Sequence, residues 1–167
     1  AAPDLRRAGC GRRRRPALLD DGDRPAAGWH LQWTAKDVAL PDQSSSTRLD
    51  PGQLLASMDR ALAQRPPGDV WVFGYGSLIW RPGFEPADRR MARVRGYHRS
   101  LCLWSRINRG SPDDPGLVFG LDRGGNCRGV VLQVPEDALR PVFHDLWQRE
   151  MLMDSYLPRW LTCATPG

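Results

Sequence analysis

No apolar run in the 167-residue chain approaches the length of a membrane-spanning helix. The four cysteines, Cys10, Cys102, Cys127 and Cys163, are scattered and form no Cys-x-x-Cys pair, and His30, His98 and His144 are equally dispersed. That spacing argues against a zinc site and leads to the expectation of no metal, with ordinary reduced thiols in a cytoplasmic protein. The chain also lacks the lysine-containing phosphate loop, the third glycine of a dinucleotide fingerprint and the Gly-x-Ser-x-Gly elbow of a serine hydrolase. What is present is ordinary for one globular domain. Charged residues are 26% and apolar residues 41%, enough for a single core and too few residues for two. The net charge of +5 invites a nucleic-acid reading, yet Arg6, Arg7 and Arg12 to Arg15 crowd the first fifteen residues among Gly, Pro and Asp. Such a run reads as a solvated tail, so no specific nucleic-acid partner and no membrane partner are expected.

The most informative stretch is Val70–Trp80, VWVFGYGSLIW. Val70 to Phe73 have the length of a buried strand, and they run straight into Gly74-Tyr75-Gly76-Ser77. Glycines let such a turn point successive backbone N–H groups at one small concavity, suited to a carboxylate or carbonyl oxygen. A tight turn using two glycines for geometry alone is the plainer alternative, and local pattern does not decide between them.

Residues 1–48, rich in Arg, Pro and Ser, are expected to be mostly disordered linker, with Trp29, Leu31 and Trp33 alternating as one short strand or extended arm. The domain is expected over 49–167. Asp50 with Pro51 starts a helix, whose apolar face is Leu54, Leu55, Met58, Ala61 and Leu62. Met91–Val94, Tyr97–Trp104, Leu117–Leu121 and Val130–Val134 read as strands, with Leu101 and Leu103 on one face and Cys102 and Trp104 on the other. Arg123-Gly124-Gly125-Asn126 has hairpin-turn chemistry. Pro135-Glu136-Asp137 opens a second helix with Leu139, Val142, Phe143, Leu146 and Trp147 on its apolar face, Pro141 falling in the first turns. The fold class is therefore α+β: a curved or barrel-like, mainly antiparallel sheet with packed helices.

Continuing the second helix's stripe four residues beyond Leu146 lands on Glu150. An inward carboxylate loses hydration, which raises its pKa and suits it to general acid–base work near neutral pH. Fraying of the helix, or a pair with a buried arginine, would account for the same position without chemistry.

Three separated stretches, VFGYGSLIWRPGF (Val72–Phe84), CLWSRINRGSPDDPGLVFGLDRGG (Cys102–Gly125) and LWQREM (Leu146–Met151), resemble the ChaC family of glutathione-specific γ-glutamylcyclotransferases. The likeness runs from about Asp50 to the end of the chain. It implies a γ-glutamylcyclotransferase-like β-barrel with packed helices, and glutathione cleavage to 5-oxoproline and cysteinylglycine without cofactor, metal or covalent intermediate. It places the family's substrate-binding loop on Gly74, Tyr75, Gly76, Ser77, Leu78 and Ile79 and its catalytic glutamate on Glu150. Family members continue beyond the catalytic helix with more strands than this chain holds. The resemblance therefore also implies a domain incomplete at its C-terminus, with an unpaired sheet edge and exposed apolar surface. Two other functions stay open at this point. One is cyclisation of other γ-glutamyl amines; the other is an inactive, truncated homologue acting as an interaction module. A basic nucleic-acid binder stacking bases on Trp71, Trp80 and Trp104 is less favoured, since each sits in an apolar strand or turn.

Overall fold

The computed structural model describes residues 23–25, 29–35, 48–105, 109–111, 113–153 and 155–166. Seven strands form one sheet: β1 (Asp23–Pro25), β2 (Trp29–Ala35), β3 (Val70–Gly74), β4 (Arg89–Ser105), β5 (Gly116–Gln133), β6 (Tyr156–Leu161) and β7 (Cys163–Pro166), in the order β1-β7-β4-β5-β3-β2-β6. Helices α1 (Pro51–Ala63) and α2 (Leu139–Glu150) pack against it. β2 starts parallel to β3, and its far end pairs with β5 at Thr34↔Leu121, so the sheet curls back on itself as an α+β half-barrel.

The curl explains why β3 is apolar throughout. Val70 and Val72 face the helices, joining Leu54, Met58, Phe143, Leu146 and Trp147. Trp71 and Phe73 face the inside of the curl with Val94, Leu121, Cys127, Val131 and Cys163. A strand covered on both sides loses the polar alternation of a half-exposed one.

α1 begins as expected. Asp50 accepts from the Gln53 amide at 2.9 Å, Gln53 returns a bond to the Asp50 amide at 3.0 Å, and Pro51 sits in the first turn, where it forfeits no hydrogen bond. A short 3-10 turn, Glu136–Ala138, leads into α2, with Pro141 in its first turn. Trp160 Nε1 donates to the Ala61 carbonyl at 2.9 Å and ties α1 to β6.

Three expectations are corrected. Residues 29–35, placed in the linker segment, form an inner strand between β3 and β6, with His30 and Leu31 buried. The alternation of Trp29, Leu31 and Trp33 marks a strand, but the polar His30 between them breaks the continuous apolar run that a strand covered on both sides would show. The rest of the N-terminal expectation, apart from the short β1, lies outside the described residues. Arg123-Gly124-Gly125-Asn126 makes no hairpin. β5 runs through it, and Gly124 and Gly125 (φ +96° and +68°) face a register shift at Gly96 (φ +84°) in β4. The glycines thus serve a bulge that bends one long ribbon. Met91–Val94 and Tyr97–Trp104 are accordingly one strand, and a second register shift between Leu101 and Leu103 breaks the alternation expected there.

Candidate active site

β3 ends at Gly74, where the chain turns sharply and enters a 3-10 turn, Ser77–Ile79. A Cβ on Gly74 would come within 3.1 Å of the Leu78 Cβ and 3.3 Å of its carbonyl carbon, so glycine lets Leu78 fold closely over the strand end without crowding. The turn is closed by Ile79 N–H donating to Gly76 O at 3.0 Å, with the Trp80 and Arg81 amides both donating to Ser77 O. Those bonds use amides at the turn's far side. The Gly76, Ser77 and Leu78 amides, at its start, have no recorded partner among the described residues. Donors at the start of a helical turn are orphaned by the geometry of the helix itself.

These residues line a cavity of about 590 Å³, which Glu150 also lines, from the last residue of α2. The helix does not fray before it: the Met151 amide still donates to Trp147 O at 2.9 Å. Just beyond, the Leu49 amide donates to Leu152 O at 3.0 Å, pinning the segment that follows Glu150 to the chain entering α1.

The Glu150 side chain is 21% exposed, and burial pushes its carboxyl above the usual range. The Arg149 guanidinium opposes that rise from 3.6 Å. Arg149 is partly occupied elsewhere, since it donates to the Arg81 and Pro82 carbonyls at 3.1 Å each. The arginine beside Glu150 is thus the exposed Arg149 rather than a buried one, and desolvation stays the larger effect. Tyr75 and Tyr156 complete this end of the cavity. Both hydroxyls are pushed up by burial first and then by neighbours that include Glu150, so both stay protonated at neutral pH. Tyr156 donates to the Phe119 carbonyl at 2.9 Å.

Of the loop residues singled out in the sequence, Tyr75, Gly76, Ser77 and Leu78 meet Glu150 at this cavity. Gly74 and Ile79 do not line it; they shape the turn from behind. Sequence reasoning missed Tyr156, Arg109 and the apolar walls, which include Trp80, Leu101, Trp104 and Phe119. Tyr156 carried one signal, its place at the head of a strand soon after Glu150. Five of the seven large apolar side chains exposed among the described residues (Trp80, Leu101, Trp104, Leu117 and Phe119) lie on this cavity, so the exposed apolar surface is concentrated there. No group of three or more His, Cys, Asp or Glu suited to a metal ion occurs among the described residues. Nor, among them, is any helix long and apolar enough to cross a membrane.

A family model described as ChaC-like protein matches residues 70–164. Glutathione-specific gamma-glutamylcyclotransferase of Escherichia coli (strain K12) is 41% identical over 109 residues, 65% of this chain and 47% of that protein. Glutathione-specific gamma-glutamylcyclotransferase 1 of Mus musculus is 34% identical over 122 residues, 70% of this chain and 55% of that protein. A crystal structure of a gamma-glutamyl cyclotransferase specific to glutathione from yeast aligns with a TM-score of 0.48 at 26% identity, covering 52% of this chain and 49% of that one. The chain spans about half the length of the curated relatives it matches.

Proposed function

The chain belongs to the ChaC-like protein family, and from that premise we propose that it cyclises the γ-glutamyl group of glutathione, releasing 5-oxoproline and cysteinylglycine. One observation carries the reading: a desolvated carboxylate, Glu150, and the orphaned amides of Gly76, Ser77 and Leu78 line the same cavity. The names of the relatives supply the substrate.

Glu150 takes a proton from the substrate's α-ammonium group. The freed amine attacks the γ-carbonyl carbon of the same molecule, forming the C–N bond of a five-membered lactam. As the tetrahedral intermediate collapses, the bond to the cysteine nitrogen breaks, Glu150 returns the first proton to that nitrogen, and the second proton of the ring nitrogen follows it, leaving the lactam N–H and the ammonium of cysteinylglycine. The loop amides stabilise the oxyanion, each such donor typically being worth about 3 kcal/mol. Because nucleophile and electrophile belong to one molecule, holding it folded supplies much of the rate. A raised carboxyl pKa suits both halves of the proton transfer, since the group must accept and release within one turnover.

The protonated Tyr75 and Tyr156 hydroxyls wall this end of the site as neutral groups, leaving Glu150 as its base. The reaction belongs in a reducing, cytoplasmic compartment, which suits the free thiols of Cys102, Cys127 and Cys163.

The test is release of 5-oxoproline and cysteinylglycine from glutathione by the purified chain beside its Glu150→Gln variant. Release by the first, and release slower by about 10²- to 10⁴-fold by the second, is expected. Equal release by both removes Glu150 from the chemistry.

A further inference from the structure

We propose that the end of the cavity remote from Glu150 is the subsite for the leaving dipeptide, and that the Arg109 guanidinium there binds its terminal carboxylate. This rests on the γ-glutamyl reading above and names what separates glutathione from other γ-glutamyl amides.

The β4–β5 ribbon acts as a ruler. Tyr156, at the Glu150 end, is anchored on the Phe119 carbonyl. From Phe119 the strand runs three residues back to Gly116, about 10 Å at roughly 3.4 Å per residue. At Gly116 a Cβ would overlap the Arg109 carbonyl, so the Arg109 backbone is seated directly on the ribbon's end. Gly110 is equally constrained, its missing Cβ being replaced by the Gly116 amide and the Asp114 carbonyl. Arg109 N–H donates to Ser105 Oγ at 3.1 Å, and Ser111 and Asp114 hold each other through bonds of 2.9 and 3.0 Å. This packing fixes where the Arg109 side chain starts. An extended dipeptide spans about 7 Å, so the scissile nitrogen beside Glu150 and a terminal carboxylate near Arg109 fit the ribbon's length, with the arginine's methylenes closing the difference.

Charge points the same way. Among the described residues, the charged side chains lining the cavity are Glu150, Arg149 and Arg109. Arg149 is engaged by two carbonyls and Glu150, whereas Arg109 is exposed and has no ion-pair partner among the described residues. Glutathione carries two carboxylates and one ammonium. The loop amides and Glu150 suit the glutamyl end, which leaves the glycyl carboxylate for Arg109, a planar donor matched to that group. Leu101, Leu103, Leu117 and Val118 line the cavity too and provide an apolar wall for the cysteine methylene and thiol.

The experiment compares glutathione with its C-terminal glycinamide, by 5-oxoproline release and by calorimetric binding, for the unaltered chain, Arg109→Ala and Arg109→Lys. The unaltered chain is expected to favour glutathione by about tenfold or more, the scale of one charge-assisted contact. Arg109→Ala erases that preference through KM, and Arg109→Lys restores part of it. A preference that survives in Arg109→Ala, or an equal loss on both peptides, overturns the assignment. The two readings fail separately. Turnover with no carboxylate preference keeps the Glu150 chemistry and removes Arg109. Arg109-dependent binding of glutathione without 5-oxoproline keeps the subsite and removes the reaction. No binding and no turnover removes both.

Discussion

Glu150 at the end of α2 and His30 in β2 are both withdrawn from water, and the difference between them is access. Glu150 keeps 21% of its side chain exposed, on a cavity that also holds amides with no partner among the described residues. His30 is 1% exposed and sits 6.1 Å, ring to ring, from Trp71 inside the curl of the sheet. Neither ring nitrogen makes a well-formed hydrogen bond among the described residues, and burial lowers its pKa to about 4, outweighing the opposing pull of the nearby Leu161 backbone. Burial moves both groups away from their charged forms. Only Glu150 can exchange its proton with something that enters from outside. A perturbed pKa marks chemistry when a cavity comes with it, and otherwise marks stability.

The sharpest way to break this comparison is Glu150→Gln. It keeps the shape and removes the base, so turnover should fall about 10²- to 10⁴-fold, the range for a lost general base, with folding unimpaired. A variant that turns over normally would put Glu150 in the same class as His30. The next effect is in the pH profile of turnover. Since the carboxyl must be ionised to accept the proton, the rate should climb about tenfold per pH unit below its raised pKa and flatten above it. A flat profile across acid pH would contradict the assignment.

Stability should show opposite signs for the two groups. His30 has a folded pKa of about 4 against 6.5 unfolded, so its contribution is complete above pH 6.5 and is lost as pH falls toward 4. The loss is at most about 3.5 kcal/mol, at roughly 1.4 kcal/mol per pH unit. Denaturant titrations of His30→Leu between pH 4 and 7 should lack this dependence. Glu150, with its folded pKa raised, stabilises most in acid and loses that contribution as pH rises through the raised value. Glu150→Gln should therefore gain stability relative to the unaltered chain as pH rises toward neutrality. The smallest effect belongs to a residue in neither region. Asp50→Ala removes the α1 capping box, and should cost about 1 kcal/mol in thermal or denaturant melts without changing the pH profile of turnover.

How much of this was legible in the sequence varies by element. α1 was readable with its cap, because Asp50, Pro51 and Gln53 act within one turn. α2 was readable through to Glu150, because its phase is set by 3.6-residue periodicity alone. The bend in β5 was not: Gly124 and Gly125 carry the same local signal for a hairpin and for a bulge, and only pairing with β4 chooses between them. β2 was readable as a short strand through Trp29, Leu31 and Trp33 but not as an inner one, because His30 reads as an exposed position. Arg109 gave no local signal, since its placement depends on Gly116 coming beneath its carbonyl.

By itself the sequence determined the pieces whose cause is local: a strand ending in a glycine turn, two amphipathic helices and a carboxylate in phase with an apolar stripe. Only tertiary structure decided that the turn's amides and Glu150 share one cavity, that β2 lies between β3 and β6, and that Arg109 stands at the ribbon's far end. The physical reason is separation along the chain. The β2–β6 contact through Thr34 and Leu157 joins residues 123 apart, and β3 finds β5 nearly 60 residues on. Such pairings are selected by the burial of the whole sheet, which no local window of residues contains.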